Sequence, residues 1–415
     1  MLMKDNPAAL KIQRIYLSLT LLSTLAASFI WGINTLFLLD AGLNNTQAFA
    51  ANAFFTLGQV IFEIPTGAIA DTRGRRISYL LGAGTLLITT LAYLWLWQTS
   101  GPFWAWALVS ALLGLGFTFF SGATEAWLVD GLRFSGYKGD LDSVFGRGQS
   151  IGGTAMLAGS VGGGVIAQAT NLGIPYLLRA AILLITLLVA AIFMRDLGFE
   201  PRKKAGAIKD IKDVIKASID NGWRRPPVRW MMLASPFANG VGFYVFYAMQ
   251  PYLLELYGDP QAYSIAGLAA AIVAGAQIAG GLLVSRVRKL FKFRTSLIIS
   301  ATVGNVILLG LLGWSGNFAL AVAILVVWAM LFAMTMPVRQ AYLNDLIGSK
   351  QRATVLSFDS LLGSSGGVVA QPVLGRTADI GGYPVSFLAS GFIQLGSLPF
   401  LWLAKKAKAS SDNVG

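Results

Sequence analysis

The sequence has no cysteine and no histidine in 415 residues. The first absence excludes disulfides, thiolate metal sites and cysteine nucleophiles. The second excludes histidine triads and zinc motifs, so no metal site or cofactor is expected. Proton chemistry is left to carboxylates, Lys, Tyr or water. Charge is also scarce: 12% of residues are Asp, Glu, Lys or Arg, against about 25% in a soluble domain. The deficit runs through the whole chain, which is 55% hydrophobic, and points to an integral membrane protein. The net charge of +13 does not indicate a nucleic-acid partner. Its basic residues occupy short gaps between apolar runs rather than one face of a polar domain.

What is present is a series of apolar runs of bilayer length. About 20 residues of helix cross a hydrocarbon core. Twelve segments qualify: 15–39, 48–70, 77–98, 103–130, 143–169, 174–194, 229–256, 261–285, 295–313, 318–346, 354–378 and 384–404. The first follows a basic N-terminus and contains LAAS at 25–28, which looks like a signal-peptide cleavage site. Its apolar run continues to residue 39, too long for a signal core, and reads as a retained span. Runs such as AILLITLLVAAIF (181–193) do not alternate as barrel strands do.

Lys and Arg test the count. The gaps 40–47, 99–102, 170–173, 257–260, 314–317 and 379–383 contain none, whereas the other side, with Arg147 and Arg229 at its span ends, holds 29 of the 32. By the positive-inside rule both termini are cytoplasmic. The long gap divides the chain into residues 1–194, a linker at 195–228 and residues 229–415. In the linker, Ile208, Ile211, Val214, Ile215 and Ile219 recur at helical spacing among Lys and Asp, as in an amphipathic surface helix.

The two sets of six spans repeat. TEAWLVDGL (124–132) aligns with RQAYLNDLI (339–347), matching Asp130 to Asp345. Gly67–Asp71 aligns with Gly281–Ser285, and AGSVGGGVIAQ (158–168) with GSSGGVVAQP (363–372). Three matches in one order imply internal duplication, which in helical membrane proteins suggests a transporter with a mid-depth site. The glycines of spans 5 and 11 allow close helix approach. GRGQSIGG (146–153) is not a dinucleotide loop, because no strand precedes it.

With these features the chain resembles the major facilitator superfamily. GAIADTRGRR (67–76) is similar to that family's loop motif G-x-x-x-D-[RK]-x-G-[RK]-[RK], through Gly67, Asp71, Gly74, Arg75 and Arg76; Thr72 departs from it. GSVGGG (159–164) is similar to the antiporter motif G-P-x-x-G-G, with Ser160 in place of Pro. EIPTGxxAD (63–71) and SGATEAWLVD (121–130) resemble bacterial drug-exporter-like members. The resemblance implies an all-α fold of twelve transmembrane helices in two six-helix pseudo-repeats. It also implies a cavity lined by spans 1, 4, 7 and 10, and a cytoplasmic latch of Asp71, Arg75 and Asp130. In that reading Gly67 clears space where span 2 meets span 11, Asp71 complements a helix N-terminus, and Arg75 bridges the two acids. Asp345, Arg352 and Asp359 are assigned to a second latch.

Ionisable groups inside spans are costly and are functional candidates by default. Glu125 on span 4 is the first candidate for proton coupling, with burial expected to raise its pKa, and Glu63 is the second. Arg339 on span 10 is a cavity cation or the partner of an acid. Arg179 on span 6 is expected at the periphery, snorkelling outward or capping a neighbour. Trp31, Asn34, Phe120, Phe243, Tyr244 and Tyr247 are candidates for the substrate cavity.

These features point to a monomeric, multi-pass, non-enzymatic secondary transporter of a bacterial inner membrane, driven by a proton gradient. The first expectation is export of a small amphipathic compound. The alternative is an importer or facilitator of a polar or anionic metabolite. A membrane enzyme and a non-translocating receptor are the rivals from other classes.

Overall fold

The structure, a computed structural model, describes residues 6–201, 219–347 and 352–413. The helices are α1 Pro7–Trp31, α2 Asn34–Asp40, α3 Asn45–Arg73, α4 Arg75–Thr99, α5 Phe103–Thr118, α6 Ala123–Phe134 and α7 Leu141–Ala169. They continue with α8 Gly173–Phe193, α9 Pro226–Tyr257, α10 Tyr263–Val287, α11 Arg294–Trp314, α12 Phe318–Leu346, α13 Arg352–Leu395 and α14 Leu398–Lys406. Among the described residues the only β pairing is an isolated bridge between Phe293 and Asn413.

Helix starts follow local chemistry. The side chain of Asn6 accepts from Ala9 N with Pro7 at the first helical position. Asn44 and Gln47 form a reciprocal capping box on α3, and Asn317 caps α12 through Leu320 N. Each cap satisfies backbone donors that have no partner within the helix.

Among the described residues, ten helical stretches are long and apolar enough to cross a membrane. One of them, Val355–Lys406, holds two passages. Gly382 leaves the helix with φ 79, and the chain returns so that Gly363 and Gly396 both pack on the 235–239 stretch of α9. Helix α9 is a further long helix of 32 residues, its apolar character diluted by Pro236, Pro251 and interior polar groups. The twelve passages follow. Three departures from the expected spans occur. Span 1 breaks at Gly32–Ile33, span 4 breaks over residues 119–122, and the expected loop at 379–383 is helical apart from Gly382. The amphipathic pattern of the linker lies outside the described residues except for Ile219, which opens a single π turn, Ile219–Trp223.

The basic clusters lie about the junctions that follow α3, α8 and α10 and mark one end of the bundle as basic. At this end there are two separate apolar cores. One is built within α1–α8 around Tyr16, Tyr79 and Trp127; the other is built within α9–α14 around Met231, Tyr342 and Val355. The cores toward the opposite end cross over. Phe49 joins the core of α9–α13, and Leu254, Ala262 and Ala266 join that of α1–α8. Among the described residues, the two sets of helices therefore share apolar cores only at the end opposite the basic loops.

Candidate functional site: a charge cluster, a one-sided seal and an internal cavity

At the basic end, α3 and α4 are separated by Gly74 alone, at φ 114. Asp71 lies in the last turn of α3, and Arg75 Nη1 reaches its Oδ1 at 2.5 Å. Asp130 Oδ2 is 4.0 Å from Arg75 Nε. Asp71, Arg75 and Asp130 thus do come together. Two details of the expectation are corrected. Asp71 sits at a helix C-terminus, where the dipole disfavours an anion, and Arg75 offsets this. The N-terminus of α4 is instead served by Asp196, whose Oδ1 accepts from Arg76 N at 2.9 Å. Burial holds the Asp196 carboxyl above the usual carboxylate range, although Arg76 and Arg75 pull the other way. A side chain at Gly74 would collide with that carboxylate. The Arg76 guanidinium donates to Ala191 O at 2.8 Å.

Gly67 is the second correction. A Cβ there would meet nothing within 4 Å, so it is not a close-packing position in this conformation. Span 2 and span 11 touch nearer the opposite end, where Gly375 lies against Asn45 O and Phe49.

The duplication extends to these contacts. Arg294, first residue of α11, pairs with Asp345 at 2.6 Å, as Arg75 at the start of α4 approaches Asp130. Thr295 N donates to Asp412 Oδ1 at 2.8 Å, as Arg76 N does to Asp196. Trp127 Nε1 donates to Arg195 O at 2.7 Å, and its counterpart Tyr342 donates to Ala404 O at 3.5 Å. Asp196 and Asp412 were not identified from sequence. Each follows an apolar run and finds its partner more than a hundred residues earlier. The available signal was their shared place after the sixth span of each set. The expected second latch is not one cluster. Asp345 pairs with Arg294, Arg352 donates to Ile347 O at 3.4 Å, and Asp359 pairs with Arg339.

Arg339 is not a free cavity cation. Nη1 meets Asp359 Oδ2 at 2.5 Å, and Nη2 contacts Asp359 Oδ1 and Met231 O. Asp359 is 5% exposed and Arg339 half-buried, and the pair is bidentate. Glu125 was expected to be buried and is exposed. The break at 119–122 restarts the helix at Ala123, with Gly122 at φ 67, and puts Glu125 in a first turn beside Tyr16. Glu63 is half-buried and accepts from Ser121 Oγ at 2.7 Å, which ties span 2 to the broken part of span 4.

Away from the basic end the two sets of helices are sealed. Gln250 bridges them, accepting from Thr35 N at 2.9 Å and donating to Trp31 O at 2.8 Å. Asp379 accepts from Asn45 N at 3.0 Å, and from Thr46 N at 2.9 Å and Oγ1 at 2.5 Å. Backbones of α7 and α10 touch at glycines. A Cβ on Gly267 would lie 2.5 Å from Ser160 O and 3.0 Å from Gly164 Cα.

Residues 16–371 match the profile of the Major Facilitator Superfamily. The chain belongs to that family. No curated protein sequence matches it significantly. Among solved structures, the nucleoside transporter NupG is similar with a TM-score of 0.76 at 13% identity, covering 96% of this chain and 99% of its own. A D-xylose–proton symporter gives 0.68 at 16%, covering 95% and 96%. A bacterial homologue of the lysosomal transporter Spinster, described as inward-facing and unoccupied, gives 0.68 at 15%, covering 98% of each chain. At such identities the likeness is one of fold. The chain is thus a secondary transporter of the major facilitator superfamily.

In this transporter the aromatic candidates divide. Trp31 and Phe120 border a cavity of about 160 Å³ among α1, α4, α5 and α8. Phe243 is half-buried against Gly367, and Tyr247 is half-buried at the edge of the α9–α13 core. Tyr244 is fully buried and donates to Ser386 Oγ at 2.5 Å. Asn34 is buried between Asn52 and Tyr176 at 2.8 and 3.0 Å. These two are not cavity-lining, because their polar atoms are satisfied inside their own set of helices. Arg179 corrects the expected peripheral placement. It is 1% exposed, lines the same cavity, and donates to Thr90 Oγ1 at 3.0 Å and Ala26 O at 3.2 Å.

Proposed function

We propose that this transporter works by alternating access and is held here open toward the cytoplasm, carrying a small polar or anionic metabolite. The one-sided seal carries the reading. The interface between the two sets of helices is packed at the end opposite the basic loops and divided at the basic end, which the positive-inside rule assigns to the cytoplasm of a bacterial inner membrane. Residues 1–194 and 229–415 are then the rocking halves, joined by the linker 195–228. The cluster of Asp71, Arg75 and Asp130 is the part of a cytoplasmic latch that closes when the cavity turns outward.

Two observations favour a polar solute over an amphipathic drug. The cavity has Ser23, Thr24 and the Arg179 guanidinium beside its aromatic walls. The similar folds include a nucleoside transporter, a D-xylose–proton symporter and a POT family transporter in complex with 5-aminolevulinic acid. Glu125 is the proposed proton carrier, open to the cytoplasmic side in this state, and the transporter acts as a monomer. The test is flux in proteoliposomes under an imposed pH gradient, with uridine, xylose, 5-aminolevulinic acid and ethidium as probes. Gradient-dependent movement of a polar probe, abolished in Glu125→Gln, is the expected result. Movement of ethidium alone overturns the substrate class, and indifference to the gradient overturns proton coupling.

A further inference from the structure

We infer that Arg179 is the anchor of an anion site in the first set of helices, and that the solute bound there is a small organic carboxylate. This rests on the transporter reading above and adds the chemical class of the solute. A guanidinium inside the bilayer is costly unless paired, and the other intramembrane arginine of the interior, Arg339, has a bidentate carboxylate. Arg179 has none. Its partners are Thr90 Oγ1 on Nε, Ala26 O on Nη1, and the Phe117 ring 5.9 Å from Cζ. All are neutral, and Nη2 has no hydrogen-bond partner among the described residues. The side chain is nonetheless 1% exposed. The charge is therefore held, oriented and left uncompensated beside a void.

The void has a direction. Leu86, Leu183 and Arg179 form its buried floor, whereas Ser23, Thr24 and Trp31 at its rim are partly exposed. Phe117 and Phe120 wall it on the α5 side. Its volume of about 160 Å³ is close to that of the ~150 Å³ apolar cavity known to take a benzene ring. A carboxylate entering from the rim would meet a guanidinium with a free fork position, the Thr24 hydroxyl beside it, and apolar walls for its organic part; the Ser23 hydroxyl already donates to Thr20 O at 3.3 Å. Hydroxyls and a guanidinium at one end with aromatic rings at the other match a carboxylate on a compact apolar body.

Benzoate and benzamide share that body and differ in charge, and they serve as probes. Purified wild-type protein at pH 7 is titrated with each, following thermal stability, with chloride and inorganic phosphate alongside. Benzoate is expected to stabilise the protein and benzamide is not. Arg179→Gln is expected to weaken benzoate binding about tenfold to a hundredfold, the range for a charged hydrogen bond. Should Arg179→Gln fail to fold, Ala27→Leu, which fills the void and keeps the guanidinium, must lose benzoate. Equal effects of benzoate and benzamide, or benzoate binding that survives these changes, overturn the inference. Stabilisation by chloride or phosphate as strong as by benzoate overturns the carboxylate assignment. These outcomes are separate from the transporter reading, which the pH-gradient flux tests.

Discussion

Gly267→Ala is the sharpest probe of the one-sided seal. The added Cβ would sit 2.5 Å from Ser160 O and 3.0 Å from Gly164 Cα, where ordinary contact begins at 3.4 Å. The obstacles are backbone atoms, so they cannot swing aside as a side chain would. Helices α7 and α10 must separate by about 1 Å, and overpacking of this kind costs about 1–3 kcal/mol. The cost falls on the sealed state, because in the proposed cycle the outward-open state parts these helices. At about 1.4 kcal/mol per factor of ten, the equilibrium should shift about fivefold to a hundredfold away from the conformation described. The chain has no native cysteine, so Gly67→Cys provides a single reporter at a position where a Cβ meets nothing within 4 Å. Its labelling by a membrane-impermeant maleimide from the basic side should slow in the double variant in proportion to the fall in the population of the described state. Gly275→Ala on the same helix, whose Cβ also meets nothing within 4 Å, should leave labelling unchanged. An undiminished rate in Gly267→Ala would refute the reasoning from seal to population.

Gly74→Ala should be destabilising twice over, through φ 114 and through collision with the Asp196 carboxylate. A loss of about 1–3 kcal/mol in thermal unfolding is expected, and a neutral outcome would remove Asp196 from its place at the start of α4. Asp359→Asn leaves the half-buried Arg339 without a counter-charge and should cost about 2–4 kcal/mol, somewhat under the full penalty for breaking a buried pair. Asp345→Asn should cost under about 1 kcal/mol, since its side chain is 53% exposed. Comparable melting temperatures for the two variants would contradict this assignment.

Much of the architecture lies in the one-dimensional pattern. Bilayer-length apolar runs and the alternation of basic gaps carry the number of passages, because lipid leaves helices as the way to satisfy a spanning backbone short of a closed barrel. The loop motif placed Asp71 and Arg75 one helical turn apart across Gly74, and neighbours in sequence needed only local geometry to meet. The aligned Asp130 and Asp345 led to the right ends of spans 4 and 10, since duplicated helices keep equivalent neighbours. What periodicity does not carry is which long-range partner a charge finds. Arg339 met Asp359 rather than the cavity. Asp196 and Asp412 reached helix starts more than a hundred residues away. Glu125 was exposed by a break at Gly122 that hydropathy alone reads as continuous helix. Arg179 shows the limit most clearly. Its sequence marks a costly charge in an apolar span, but its burial, its neutral partners and the void beside it arise only when α1, α4, α5 and α8 close around it.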